Sequence, residues 1–554
     1  MKTLISTLTC LLMTFNLLSQ NTTCNWAFAP VGTNTFNGKV YNTAIDQAGN
    51  IIECGTIAGV ADLDPGSGPG DTAYSKPGYN YYLRKTSIGG QLQWVKFFNQ
   101  TSPIPTFYVY GLEVNSQNEI IIAGDYFGTI DMDLSTTGVD TITSHQPTYP
   151  DFFLANYDTN GDLQWAHTYG GTSGNIGVSS ITLTGTDNIL VSFTGGSNMD
   201  LDPGVATALA YSGSANIVCY DSNGNYIWNN QISTPTSYSV DTKSIACDAA
   251  GNSYLLSVGY YELTVTKFDN NGNELWGKTI GDFQALGRVE PHSLLVDPNG
   301  DFFIVGKYLN SVDFDPNAGS TVYSSSSAND HDGFFAAYDS SMNPYWVKTY
   351  QGIVVFGNQS LTRIGNELVA GGYITGSATM GPGTTFTATS SSPFFIKTDQ
   401  QGILTAGSIF PCSGRFTTLN TTFQGHLVVT GTFSGSVDID PTVSGTVSLT
   451  SGSFATSFTA VYASPLSVTG ETLKNNFIRV YPNPTHDFIR FQNQERLSGF
   501  ITVFDSNGRC CIENEFDDDM IVSIPADHLS SGIYSYRICG KSMKLISSGK
   551  IILE

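Results

Sequence analysis

Five segments of this chain end alike: SIGGQLQW at Trp94, TNGDLQW at Trp165, SNGNYIW at Trp228, NNGNELW at Trp276 and SMNPYW at Trp346. A sixth tryptophan, Trp26, stands near the start in CNWAFAP. The intervals run from 48 residues (Trp228 to Trp276) to 71 (Trp94 to Trp165). Self-similarity at such a period means that one supersecondary unit is copied and stacked. Residues 112–169 show the unit. LEVNSQNEIIIAGDYFG supplies two strands joined by a turn, and DMDLSTTGVDTITSHQPTYP is a long polar loop. DFFLANYD is a third strand, TNGD a tight turn and LQWAHTYG a fourth strand.

Four antiparallel strands per unit make a propeller blade. The turns recur for a physical reason. Asp-x-x-Gly-Asn/Asp stands at DQAGN (46–50), DTNGD (158–162), DSNGN (221–225), DAAGN (248–252), DNNGN (269–273) and DPNGD (297–301). The Asp forms an Asx turn and the Gly accepts positive φ. A degenerate copy, QGILTAGSIF (401–410), puts Ala406 in the tryptophan position and brings the count of fourth strands to seven. The last unit has three strands and no fourth, whereas Trp26 sits on a strand with no partners of its own. The expectation is an all-β chain: a seven-bladed β-propeller closed by the N-terminal strand, then a small C-terminal β-sandwich. Closure removes the exposed sheet edges.

The order DxxGN, IxxxG, DxDP, DFFLANYD and GxLxW resembles the bacterial propeller repeats known as SBBP repeats, over about residues 24–463. The fourth unit departs from it, because SVGYYELTVTKFDNNG lacks the long loop, and so does the sixth, with SATMGPG. That resemblance implies a fold rather than an activity.

Residues 1–22 read as a signal peptide, Lys2 followed by an apolar run too short to span a membrane. No later segment reads as transmembrane. Net charge is −23, which repels phosphate backbones and excludes nucleic acid. Of nine cysteines, Cys10 falls in the signal; the other eight show no CxxC pair. Cys219 and Cys247, in strand-like IVCYD and IACD, read as buried thiols, and Cys510, Cys511 and Cys539 are close enough in sequence to consider a disulfide.

The chain divides into the signal (1–22), the repeats (23–463), a linker (464–475) and a last domain (476–554). Short alternating strands in the last domain predict a sandwich of about seven strands. Tyr481-Pro482-Asn483-Pro484, then Asp505 and Gly508, then Gly532 and Tyr534, then Lys550 follow in order. In that order the motifs resemble the type A sorting domain of the Bacteroidota type IX secretion system. The resemblance implies partners, the type IX translocon and its sorting peptidase, and a secreted or outer-surface location reached through the periplasm.

The chemistry-bearing candidates are the Asp-x-Asp pairs: Asp62 and Asp64, Asp131 and Asp133, Asp200 and Asp202, Asp313 and Asp315, Asp438 and Asp440. Residues i and i+2 on a strand share a face, so paired carboxylates suggest calcium. The alternative is that each Asp caps a turn and the Pro stops the strand. No other cofactor is expected. His331, between Asp330 and Asp332, and Tyr79, Tyr81, Tyr82, Tyr260 and Tyr261 are weaker candidates for metal or sugar contact. No HExxH, Gly-x-Ser-x-Gly elbow or phosphate loop is present. The favoured expectation is a non-enzymatic glycan- or protein-binding module. The alternatives are a polysaccharide lyase or hydrolase with carboxylates from different units, and a structural or adhesin component.

Overall fold

A computed structural model describes residues 24–553 except 33–37, 65–73, 101–105, 136, 147–148, 171–175, 196–198, 205, 211–214, 233–239, 260–261, 282–286, 328, 382, 423, 442–445, 452–454, 464–477, 482–487, 494–497, 505–509, 518–520, 527–528 and 541–544. The described residues are all-β, and they fall into two compact units, one up to Ser464 and one from Pro465. The signal peptide and the 464–475 linker lie outside the described residues.

In the first unit three antiparallel sheets have four strands each, the strands from Val31 to Phe97 form a five-stranded sheet, and the long strands from Arg288 onward join Cys24–Phe28 in one eleven-stranded sheet within which the same sets of four recur. The second set is Thr106–Val114, Ile120–Phe127, Asp151–Tyr157 and Leu163–Tyr169. The third runs from Gly177–Leu183 to Tyr226–Gln231, and the fourth from Asp241–Cys247 to Glu274–Ile280. Strand Pro344–Ile364 serves two sets: its start pairs with Asp332–Tyr338 and its end with Glu367–Gly381. The N-terminal strand Cys24–Phe28 pairs with Thr456–Tyr462, with Trp26 opposite Val461, beside Leu427–Ser434 and Ser413–Thr421. The long polar loop of the repeat is more ordered than its composition suggests. Thr129–Asp131 and Thr141–Thr143 form a small hairpin, because alternating Thr-Ile-Thr buries Ile130 and Ile142.

The middle strands are buried on both faces, as at Asp151–Tyr157, since neighbouring sets cover each side. Cores of Tyr, Phe, Ile and Val fill the wedges between sets. The tryptophans finish each wedge. Trp94 Nε1 donates to Thr159 O at 3.2 Å, Trp228 Nε1 to Asn270 O at 3.2 Å and Trp346 Nε1 to Gln400 O at 2.7 Å. Each acceptor lies in the hairpin turn of the next set. The turn glycine sits under the ring: an added Cβ at Gly161 meets Trp94 Cη2 at 3.0 Å, and at Gly402 it meets Trp346 Cε3 at 2.8 Å. Trp26 does the same across the chain ends, donating to Ile88 O at 2.6 Å and covering Gly90. The Asx turns are as expected. Asp46 Oδ1 accepts Asn50 N–H at 2.8 Å and Gly49 has φ of 85°.

A buried ion pair ties the first set to the last. Arg84 Nε donates to Glu53 Oε2 at 2.9 Å, Arg84 Nη1 donates to Leu63 O at 2.8 Å, and Thr459 donates to Glu53 Oε1. Phe28 lies under the guanidinium, 5.1 Å from its carbon.

The second unit holds a three-stranded and a four-stranded sheet, seven strands in all, around Ile489, Phe491, Ile501, Val503, Phe516 and Ile538. Cys219 and Cys247 are free thiols. Cys219 is buried as expected, but Cys247 is only half-buried. The side chains of Cys510 and Cys539 lie outside the described residues.

Candidate functional site

The first strands of the sets neighbour one another in turn: Lys39–Ile45 lies beside Thr106–Val114, then come Gly177–Leu183, Asp241–Cys247, Arg288–Val296, Pro344–Ile364 and Ser413–Thr421, which neighbours Lys39–Ile45 again. Thr43 Oγ1 and Thr418 Oγ1 hydrogen-bond at 2.6 Å across that last contact. Each of these strands breaks register with its partner near its middle. The breaks fall at Val40/Asn42, Val109/Gly111, Val178/Ser180, Thr242/Ser244, Pro291/Ser293, Phe356/Leu361 and Phe416/Thr418. A bulge re-aims the residue it leaves unpaired. Those residues are Tyr41, Tyr110, Ser179, Lys243, His292, the stretch 357–360 and Thr417. All of them except Ser360 line one cavity of about 400 Å³, within the size range of small-molecule sites.

Lys39, Lys307 and Arg415 join Lys243 at this mouth, with Glu290 as its one acidic lining residue. Glu290 faces Lys307 at 3.0 Å and His292 Nε2 at 3.6 Å. The His292 and Lys307 contacts hold its carboxyl down to about 2 against the opposing effect of partial burial. Tyr108 and Tyr110 are the aromatic rings most open here, each a little under two-fifths exposed. Tyr41 stands edge-on to Tyr108, centroids 6.2 Å apart. A second cavity of about 280 Å³ shares Ser180, Asn358 and Gln359 with the first. Its wall carries Glu113, whose carboxyl is pushed up to about 7 by burial.

None of the Asp-x-Asp residues lines these cavities. Their carboxylates cap backbone. Asp131 Oδ1 accepts N–H of Asp133 at 3.1 Å and of Asp140 at 2.9 Å. Asp200 Oδ1 accepts Asp202 and Ala208 N–H, Asp313 Oδ1 accepts Asp315 and Thr321 N–H, and Asp438 Oδ1 accepts Asp440 and Val447 N–H. Asp62 Oδ1 accepts Asp64 N–H at 2.9 Å. The residue between each pair, such as Met132, Phe314 or Ile439, is fully buried. A core tyrosine binds its carbonyl: Tyr157 to Met132 O at 2.9 Å, Tyr338 to Phe314 O at 3.0 Å and Tyr462 to Ile439 O at 2.9 Å. Among the described residues no group of three His, Cys, Asp or Glu side chains is placed to hold a metal ion.

Burial lowers the His331 imidazole pKa, and the strongest charged influence on it is Lys307, a cation. Tyr81 and Tyr82 are core residues, and the side chains of Tyr79, Tyr260 and Tyr261 lie outside the described residues. Sequence reasoning missed the mouth altogether. One signal was there: Tyr41 precedes the turn residue Asp46 by five, as Tyr110 does Asn115, Ser179 does Thr184, Lys243 does Asp248, His292 does Asp297 and Thr417 does Thr422.

In the second unit, Tyr534 is buried and donates to Ser530 O at 2.8 Å. Gly532 opens strand Gly532–Gly540, in which Ser535 pairs with Lys550. Tyr481 ends strand Ile478–Tyr481, while Pro482, Asn483, Pro484, Asp505 and Gly508 lie outside the described residues. Residues 479–554 match the model of the secretion system C-terminal sorting domain. The C-terminal unit is a type IX sorting domain. It engages the secretion machinery, and the chain is therefore exported to the cell surface or released. No helix among the described residues is long and apolar enough to cross a membrane.

No curated protein matches the chain. Among solved structures, the Dos1 propeller matches at 9% identity over 80% of this chain and 95% of that one, with a TM-score of 0.37. Streptogramin B lyase matches at 10% identity over 73% and 94%, TM-score 0.36. A protein of unknown function from Bacteroides caccae matches at 12% identity over 60% and 90%, TM-score 0.30.

Proposed function

We propose that residues 24–463 form a seven-bladed propeller of SBBP-type repeats, closed by the N-terminal strand, that binds a ligand at its axial mouth once the sorting domain has delivered it outside the cell. The observation that carries this reading is the ring of register breaks. Seven strands, far apart in sequence, each interrupt their ladder and turn residues toward a single cavity, one residue in six of them and the stretch 357–359 in the seventh. Function on such a scaffold resides in a site grafted onto the repeat, and these are the positions where side-chain type varies while backbone geometry does not. The lining carries cations, amides, hydroxyls and tyrosines and a single carboxylate already engaged with Lys307 and His292. That composition suits recognition better than hydrolysis by a carboxylate pair.

The test is to fill the mouth. Ser179→Trp and Thr417→Trp place bulk at bulge positions, and Gln164→Trp adds the same ring on an outermost strand. A glycan array probed with the full chain should show its hits lost in the first two variants and kept in the third. Hits that persist in both mouth variants, with unfolding midpoints unchanged, contradict the axial reading.

A further inference from the structure

We propose that the axial mouth selects an acidic saccharide, a sugar carrying a carboxylate or a sulfate ester. The inference rests on the axial reading above and names the ligand class for that same site.

Charge is the first reason. The whole chain has 24 Lys and Arg against 47 Asp and Glu. The mouth reverses that balance, with Lys39, Lys243, Lys307 and Arg415 against Glu290. These cations arrive from four different sets of strands, so no single local segment explains the cluster. Glu290 is already spent on Lys307 and His292. Among the described residues, Lys39, Lys243 and Arg415 have no carboxylate oxygen within 4.0 Å. Uncompensated cations around a concave mouth focus the field on what enters, although Lys39 and Arg415 are solvent-exposed and salt screens them. Outside the mouth the acidic surface repels anions, so the cluster marks where an anion is accepted.

A second reason is an orphan donor or acceptor. His292 is 7% exposed, and its Nδ1 has no hydrogen-bond partner among the described residues. A buried polar atom left unmade costs about 1–3 kcal/mol. A ligand hydroxyl in the mouth would satisfy it.

The third reason separates a sugar from a bare anion. Tyr41, Tyr108 and Tyr110 form a contiguous aromatic group beside the cations. Tyr108 and Tyr110 have centroids 6.1 Å apart, and Lys39 Nζ lies 5.4 Å from the Tyr41 ring. Aromatic rings present an apolar face with a polar tip, which matches the C–H face of a sugar ring and its flanking hydroxyls. Asn358 and Gln359 add amides to the same lining. A free inorganic anion has no use for that surface.

The experiment titrates the full chain with three tetrasaccharides of equal length: a galacturonate oligomer, a sulfated chondroitin fragment and neutral maltotetraose. Titrations are run at low and high salt, with the double variant Lys243→Met/Arg415→Met and with Tyr110→Ala alongside. Expected is binding of the acidic probes at least about tenfold tighter than the neutral one, with the gap narrowing as salt screens the cations. The double variant should lose the acidic preference at an unchanged unfolding midpoint, and Tyr110→Ala should weaken all binding. Acidic and neutral probes bound alike, and both blocked by Ser179→Trp, would overturn the acidic class and leave the axial site standing. Binding indifferent to Ser179→Trp and to the double variant would overturn the axial reading too. Inorganic sulfate displacing the sugars at equal concentration, or no binding by the folded chain of any of the three, overturns the proposal.

Discussion

Two glycines in the fourth set of strands isolate what the tryptophan stack contributes. Gly251 and Gly272 both sit in Asx turns, with φ of 80° and 81°. Replacing either by Ala imposes the same left-handed backbone penalty, about 1–2 kcal/mol. Their surroundings differ. A Cβ at Gly251 meets only Asn270 Cβ, at 3.4 Å, whereas a Cβ at Gly272 comes within 2.5 Å of Trp228 Cδ2. The ring of Trp228 must leave its seat, an overpacking cost of about 1–3 kcal/mol. Its Nε1 bond to Asn270 O, 3.2 Å long, goes with it, worth about 1 kcal/mol. Gly251→Ala should therefore cost about 1–2 kcal/mol, and Gly272→Ala about 3–6 kcal/mol when the three contributions are combined. Urea unfolding of both variants, followed by far-ultraviolet circular dichroism, measures the difference. Trp228→Leu in the Gly272→Ala background should recover part of it. Equal losses for the two glycines would refute the claim that each tryptophan is seated on the next turn.

Removing one member of the Arg84–Glu53 pair leaves a charge with no exposure, so Arg84→Met should lose about 3–5 kcal/mol by urea unfolding, and Arg84→Met/Glu53→Leu should regain most of it. Asp125 and Glu113 are each pushed up to about 7 by burial. Their folded forms keep a proton that the unfolded chain has already released, so stability is full below about pH 4 and falls as pH rises through 7. Asp125→Asn and Glu113→Gln should flatten that slope in melts across the range, and a slope of opposite sign would refute it. Asp131→Ala removes the acceptor of two backbone N–H groups and should cost about 1–3 kcal/mol. Calcium that raises the wild-type midpoint and not the variant's would assign that loop a cation, and an unmoved midpoint leaves it a backbone cap. A chain ending at residue 463 should accumulate in the periplasm, which cell fractionation reads directly.

The repeat was legible because it recurs in residue type. Glycines lie under Trp26, Trp94, Trp165, Trp228 and Trp346, Met342 with φ of 61° takes the equivalent turn position after Trp276, and an Asp closes most of the turns, so similar letters return along the chain. Pairing of Cys24–Phe28 with Thr456–Tyr462 was legible as arithmetic, three strands at one end and an orphan at the other. The sorting motifs were legible through their order. The mouth was not, because its positions share backbone geometry and not chemistry: Tyr41, Tyr110, Ser179, Lys243, His292 and Thr417 have no common side chain. Paired aspartates drew attention instead, since two carboxylates on one strand face suggest a cation from sequence alone. The Oδ1 atoms of Asp131, Asp200, Asp313 and Asp438 accept amides eight or nine residues further along, and sequence does not show a loop folding back that far. Cys247 looked buried by its apolar neighbours, but it lies at the end of its strand, where coverage thins.

Hydrogen exchange on the full chain, with and without the galacturonate tetramer, tests the central claim most directly. The account predicts slowed exchange together at residues near 41, 110, 179, 243, 292, 357 and 417, with the Asp-x-Asp hairpins and the outermost strands unchanged. Protection confined to one set of strands, or appearing at the outer strands instead, would contradict a shared axial site.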